Sequence, residues 1–302
     1  MNAPTIKAAA TVWDKATGKS RYTADLIAPG TAVASIARSP HAHARVNSVR
    51  IDDALSIPGV LDVLTPDDFK GQALNSKHPD QPVLTNHARF VGDGIAAVVA
   101  TDQDALRRGI EALVIDYKIL PHACTVDAAM ALDTPIHEPY PDNIAQQFAS
   151  SQGDWDEAAA EITEWVEGTF ETQAVPHAAL EPRAVLVRVD RDRLELVTGT
   201  HAPSVIVEQY RPIVESWGAK LEILTPEIGG SFGARWEHPS HLVCLKFASK
   251  LGRNVAMVLP RRDDMIDGRT RLAMRIHMRL GASSDGKFLA KETTVWADNG
   301  AY

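Results

Sequence analysis

Apolar and polar positions along the chain change period several times, and each change predicts an element. "TAVASIAR" (31–38) and "HARVNSVRID" (43–52) read as short strands, the second alternating Val46, Val49 and Ile51 with polar neighbours. A short helix, a Pro-Gly turn and the strand Val60–Leu64 are expected across 52–69. "VGDGIAAVVAT" (91–101) is a continuous apolar run opened by glycines, as a buried strand would be. A helix should follow over 101–117, capped by Thr101, with Leu106, Ile110, Leu113 and Val114 on one face. The pattern fades between 126 and 160, where "LDTPIHEPYPDN" reads as an extended connector.

Beyond the connector the punctuation sharpens. "AVLVRV" (184–189) and "RLELVTGT" (193–200) predict a β-hairpin. A helix follows with Ile206, Tyr210, Ile213 and Trp217 on one face, kinked by Pro212 and ended by Gly218. A strand at 220–226, a helix at 240–252, a strand at 254–259 and a long closing hairpin (275–282 with 287–298) complete the reading. The fold class is therefore mixed α/β, in the α+β sense, with units at 1–125 and 161–302 joined by 126–160.

Composition narrows the function. A net charge of −8 and the lack of any basic run exclude nucleic acid as the main partner, since phosphate binding needs a basic surface. The two cysteines, Cys124 and Cys244, are far apart, so neither an iron–sulfur cluster nor a cysteine-built zinc site is expected on this chain. The start shows no apolar signal core, and no run of about 18 apolar residues occurs, which makes a cytoplasmic protein without a membrane segment the plain expectation.

Two segments could carry chemistry. "EIGGSFGARWEH" (227–238) follows a strand and precedes a helix, the setting in which glycine turns meet anions. It matches neither a P-loop nor a dinucleotide fingerprint, and by itself it reads first as a tight turn. Phe232, flanked by Gly230-Ser231 and Gly233, sharpens it: small neighbours let a backbone N–H approach an oxo group or anion. In "TQAVPHAALEPRA" (172–184), His177 and Glu181 stand four apart between two prolines, as a loop rather than a long helix. His41 and His43 read as a solvated turn or subunit contact, and "RRDD" (261–264) as a self-neutralising loop.

Taken in order, the segments are more specific than any one alone. "YTADLIAPG", "ARSPHAHARV", "IPGVLDVLTPDD", "VGDGIAAVVATDQDAL", "PHAALEPRAVL", "GGSFGAR" and "DNGAY" follow one another as in the molybdenum-binding large subunit of the xanthine dehydrogenase/aldehyde oxidase family, which the chain resembles from about residue 16 to its end. The resemblance implies an N-terminal hammerhead-type α/β domain followed by the first part of a molybdopterin-binding α+β domain. It implies a molybdenum–molybdopterin cofactor, in some members its cytosine dinucleotide form, and hydroxylation of an aldehyde or N-heterocycle with oxygen drawn from water. Electrons would leave through [2Fe–2S] clusters to FAD on an iron–sulfur subunit and a flavin subunit.

Carried over by position, Gly229, Gly230, Ser231, Phe232 and Gly233 become the cofactor-binding turn, with the backbone of Phe232 near the molybdenum oxo group. His177 and Glu181, with Val175 and Trp236, would shape the substrate pocket. Val175 stands where the family commonly has glutamine, and Trp236 where xanthine-type members have an acid, so xanthine-style purine recognition is not expected. The family's glutamate base falls outside residues 1–302, so either the subunit is split, with a second chain carrying the remainder of the molybdopterin domain and completing the site, or the subunit has been cut. The competing expectation is a non-catalytic scaffold subunit that assembles but binds no cofactor.

Overall fold

The computed structural model describes residues 8–75 and 78–302; the first seven residues, read above for a leader, lie outside it. The chain divides into two compact units interleaved along the sequence. One comprises residues up to Lys118 together with His177–Gly268, and the other comprises Ile119–Pro176 with Arg269–Tyr302.

The first unit is built on one seven-stranded mixed sheet. Its strands are β1 (Ala32–Arg38), β2 (Val60–Leu64), β3 (Gly94–Ala100), β4 (Ala184–Asp190), β5 (Arg193–Thr198), β6 (Lys220–Leu224) and β7 (Val255–Val258). They lie in the order β6-β5-β4-β7-β1-β3-β2. The β5–β6 and β1–β7 pairs are parallel and the remaining neighbours antiparallel. The apolar run of β3 is buried on both faces from Ile95 to Ala100, which explains its lack of alternation.

Three helices of this unit cover the sheet. Helix α1 (Gln103–Glu111) starts at Asp102, whose side chain accepts the Ala105 N–H at 2.9 Å. The expected cap, Thr101, instead hydrogen-bonds Asp102 Oδ2. Helix α2 (Pro203–Ser216) holds Pro212 inside it and ends where Gly218 takes φ 82°. Helix α3 (Pro239–Leu251) is buried from Ser240 to Ala248 except at Lys246, and stops at Gly252, whose left-handed φ of 59° only glycine adopts without strain. Ile206, Tyr210 and Val214 of α2 and Leu242, Leu245 and Phe247 of α3 meet Val185, Val187, Leu194 and Leu196 in the main core. Truncating a side chain such as Leu245 to alanine there costs about 2–5 kcal/mol.

Further sequence expectations change: the helix expected over 101–117 ends at Glu111, and Val114, placed on its face, instead opens a strand, Val114–Ile119. "RRDD" opens a short helix, α4 (Arg261–Ile266), that neutralises itself only in part: Arg261 pairs with Asp264 at 3.4 Å, whereas Asp263 reaches out to Arg38 at 3.1 Å. His43 is buried, not solvated, with its Nε2 2.8 Å from His87 Nε2.

The second unit is a three-stranded antiparallel sheet in which Ala273–Ala282 lies between Glu164–Thr172 and Phe288–Asp298. Register sorts its two faces by chemistry. One face aligns Glu167, Arg279 and Glu292, then Glu171 and Arg275, joined by ion pairs of 3.0–3.3 Å, and Asp127 also bridges Arg275 at 2.6 Å. The other face aligns Val166 with Leu280 and Phe170 with Ile276 and Val295, and of these Val166, Phe170 and Val295 are exposed. No described helix is long and apolar enough to cross a membrane.

Candidate functional site

The glycine turn sits beyond the end of β6 and folds against the 177–183 segment of the same unit. The two segments join through Gly229 and Glu181. The Gly229 N–H donates to Glu181 Oε2 at 2.8 Å, and the Glu181 N–H donates to the Gly229 carbonyl at 3.1 Å. Only glycine fits at 229, because a Cβ there would stand 2.4 Å from the Glu181 Cβ. His177 faces the other end of the turn, 3.6 Å from where a Cβ on Gly233 would be.

Both segments hold strained backbone. Phe232 has φ 51° and Ala178 φ 45°, left-handed values that side-chain-bearing residues adopt at a cost of order 1–3 kcal/mol each. Three buried or half-buried arginines stabilise them. Arg235, 3% exposed, donates through Nε to the Gly230 carbonyl at 3.2 Å and through Nη2 to the Glu181 carbonyl, with Glu181 Oε2 3.6 Å away. Arg183 donates to the Ala234 carbonyl at 2.7 Å. Arg261 donates to the carbonyls of Ala179 and Leu180 at 2.6 and 2.7 Å. Burial, with the Arg235 charge close by, pushes Arg183 down to about 10.

These contacts decide where the turn's N–H groups point. In a trans peptide the carbonyl and the following N–H face opposite ways. The Gly229 carbonyl is held by the Glu181 N–H, that of Gly230 by Arg235, and that of Ser231 by the Ala234 N–H at 2.8 Å. The N–H groups of Gly230, Ser231 and Phe232 therefore point away from those partners, and among the described residues none of them has an acceptor. Successive N–H groups left without acceptors in a turn are the groups from which an anion- or oxo-binding concavity can be built. The Phe232 side chain is 73% exposed beside them.

The rim is aromatic and polar. Ser231 Oγ shares a hydrogen bond of 2.7 Å with His201 Nδ1, and the His201 ring meets Trp236 edge-on at 4.9 Å. Glu237 is buried and accepts from Asn75 Nδ2 at 2.8 Å. Of the residues expected at the site, Gly229, Gly230, Ser231, Phe232, Gly233, His177, Glu181 and Trp236 all lie in the first unit. Val175 belongs to the second, where it pairs with Arg271 in a two-residue ladder. Sequence reasoning gave no site role to Arg183, Arg235 or His201, and it read Arg261 only as part of a self-neutralising loop. Nothing in hydrophobic spacing marks an arginine that will bind carbonyls.

Comparison with known proteins gives the family. The molybdopterin cofactor-binding domain family matches residues 136–302, more than half of the chain. The chain belongs to this family. Residues 17–121 match the a/b hammerhead domain of aldehyde oxidase and xanthine dehydrogenase. Among molybdopterin-family relatives, the chain is 28% identical over 303 residues to the xanthine dehydrogenase molybdenum-binding subunit of Escherichia coli O157:H7, covering 95% of itself and 40% of that subunit. It is 28% identical to the nicotinate dehydrogenase large molybdopterin subunit of Eubacterium barkeri, covering 96% of itself and 68% of that subunit. Quinoline 2-oxidoreductase from Pseudomonas putida 86 superposes with a TM-score of 0.84 at 25% identity, over 97% of this chain and 39% of that one. The chain thus spans about two fifths of the length of most of these relatives.

The residues present suit a molybdopterin-type group. Its oxo and phosphate oxygens are acceptors, and the turn offers N–H donors without acceptors beside glycines that no larger residue could replace at 229. Among the described residues no cluster of three or more His, Cys, Asp or Glu could hold a bare metal ion.

Proposed function

We propose that this chain supplies one wall of the cofactor site in a molybdenum hydroxylase that oxidises an aldehyde or N-heterocyclic substrate with water-derived oxygen. The observation that carries this reading is the set of outward N–H groups at Gly230, Ser231 and Phe232, held by the partners of their carbonyls. When bound, the molybdenum–molybdopterin group, in its plain or cytosine dinucleotide form, supplies the redox and oxygen-transfer chemistry. This chain's own residues bind and orient. The three N–H groups donate to an acceptor oxygen, Gly229 and Gly233 keep the approach open, and Phe232 presents an apolar face that excludes water. His201, Ser231 and Trp236 edge the space for substrate, and no residue of this chain serves as the proton-abstracting base.

The base and the remaining cofactor contacts are assigned to a further polypeptide stretch carrying the rest of the molybdopterin domain. The relatives' greater length supports this, as does the open apolar face of the second unit at Val166, Phe170 and Val295. Electrons then pass to [2Fe–2S] and FAD on partner subunits in the cytoplasm. The test is the molybdenum and pterin content of the complex purified with its natural partners. Stoichiometric molybdenum and pterin support the reading. A fully assembled complex lacking both overturns it in favour of a non-catalytic scaffold.

A further inference from the structure

We propose that Arg235 is the positioning residue of the glycine turn: its guanidinium fixes the peptide plane that aims the central N–H group, that of Ser231, at the ligand. The inference deepens the cofactor-site reading above and rests on it.

Three consecutive peptide planes carry these N–H groups, and their carbonyls are not held alike. Those of Gly229 and Ser231 accept backbone N–H groups, from Glu181 and Ala234. The Gly230 carbonyl alone is held by a side chain, Nε of Arg235 at 3.2 Å. The same guanidinium donates to the Glu181 carbonyl, so it ties the turn to the 177–183 segment at a second point beyond the Gly229–Glu181 pair. The main chain of Arg235 is itself anchored, with its carbonyl accepting from Thr200 Oγ1 at 2.8 Å.

A buried guanidinium is a costly way to fill space, and apolar residues often stabilise a fold as well or better in such places. What it offers is a rigid fork of donors that can bind two carbonyls at once in fixed geometry. Here the fork is spent on the protein: its donors face Gly230, Glu181 and the Glu181 carboxylate. Arg235 is therefore not a ligand contact. It acts through the orientation of the 230–231 peptide, which lies next to the strained φ of 51° at Phe232. Without the fork that peptide is free to turn, which would replace the Ser231 N–H facing the ligand by the Gly230 carbonyl, an acceptor facing an acceptor.

The test compares Arg235→Met, which keeps bulk and removes the fork, with Arg235→Lys, which keeps the charge and can still reach one carbonyl. Both are purified in the complex with natural partners. Hydrogen–deuterium exchange is followed at the amides of Glu181, Gly229 and Ala234, and molybdenum per complex is measured by elemental analysis. Arg235→Met should speed exchange at those amides at least tenfold while β4 and β7 keep the wild-type rate, and should lower molybdenum content at least fivefold. Arg235→Lys should bring molybdenum back to within about twofold of wild type. The proposal is overturned by unchanged exchange and molybdenum in Arg235→Met. It is equally overturned by faster exchange spread over β4 and β7 with no rescue by lysine, the mark of a purely structural residue. If the wild-type complex itself lacks molybdenum, the cofactor reading fails separately, and the exchange arm still decides whether Arg235 holds the turn.

Discussion

Substituting alanine for Gly229 tests the join between the two site segments by replacing one hydrogen with a methyl group. The new Cβ would lie 2.4 Å from the Glu181 Cβ, 3.3 Å from its Oε2 and 3.4 Å from its Cγ. Both clashing Cβ atoms are fixed to the backbone, so no rotamer change relieves the first contact. One main chain must retreat by roughly 1 Å to restore ordinary van der Waals separation. That retreat carries the 2.8 Å and 3.1 Å bonds between Gly229 and Glu181 beyond hydrogen-bonding range. Losing one bond to a carboxylate and one neutral bond costs about 2–4 kcal/mol. Thermal unfolding of the complex should then show this chain's transition lowered by about 2–4 °C per kcal/mol, as for domains of comparable size. Gly199→Ala is the matched control, since its Cβ would sit 3.6 Å from the same Glu181 Oε2, an ordinary contact. If Gly229→Ala melts with Gly199→Ala and carries the same molybdenum, the Gly229–Glu181 join is not what shapes the site.

Other expectations follow from single residues. Burial, then the Arg183 charge, hold His238 down at about 4, so the folded protein refuses a proton that the unfolded chain accepts below its usual 6.5. Stability should therefore fall as pH drops from 6.5 to 4, by about 3 kcal/mol at the lower limit, and urea titrations at several pH values should show a shallower fall for His238→Asn. Identical pH dependence in the two proteins would contradict this. Phe232→Asp should abolish substrate oxidation while complex assembly, followed by size-exclusion chromatography, stays intact, because the side chain is mostly exposed and an added carboxylate repels an oxo-bearing ligand. A fully active variant would remove the turn from the ligand. Cys244 is fully buried in the main core and its thiol is pushed well up by burial, whereas Cys124 is exposed. A thiol reagent should modify one cysteine quickly in the native protein and the second only on unfolding, and two fast thiols would refute the packing of α3.

How far the chain announced this structure differs between levels. The strands of the first unit were legible because each is a short β-rich run bounded by turn residues, and β4 with β5 form the hairpin their spacing implies. Their order in the sheet was not, because β1 pairs with β7 across more than two hundred residues and no periodicity records such a partner. At the site, the glycine turn and "HAALEP" were visible as separate motifs, but their meeting at Gly229 and Glu181 was not. The arginines were the least legible. Arg261 reads in sequence as neutralised by the aspartates that follow it, and it does pair with Asp264, but in the fold it also binds two carbonyls of another segment, which nothing in the sequence marks. A guanidinium is buried when backbone acceptors gather around it, and those acceptors come from distant loops.

The position of β7 between β4 and β1 bears on how such subunits can be cut, swapped or shuffled. A break at the proline-rich connector looks natural in the sequence, yet it would separate β1, β2 and β3 from the four strands that complete their sheet. The β1 edge would be left bare, its Ala32–Arg38 backbone open to pairing with any other strand. A hammerhead segment expressed alone should therefore be prone to aggregate. Recombination between relatives should succeed when it exchanges Ile119–Pro176 with Arg269–Tyr302 as a set, because those two stretches form one unit and leave the seven-stranded sheet whole.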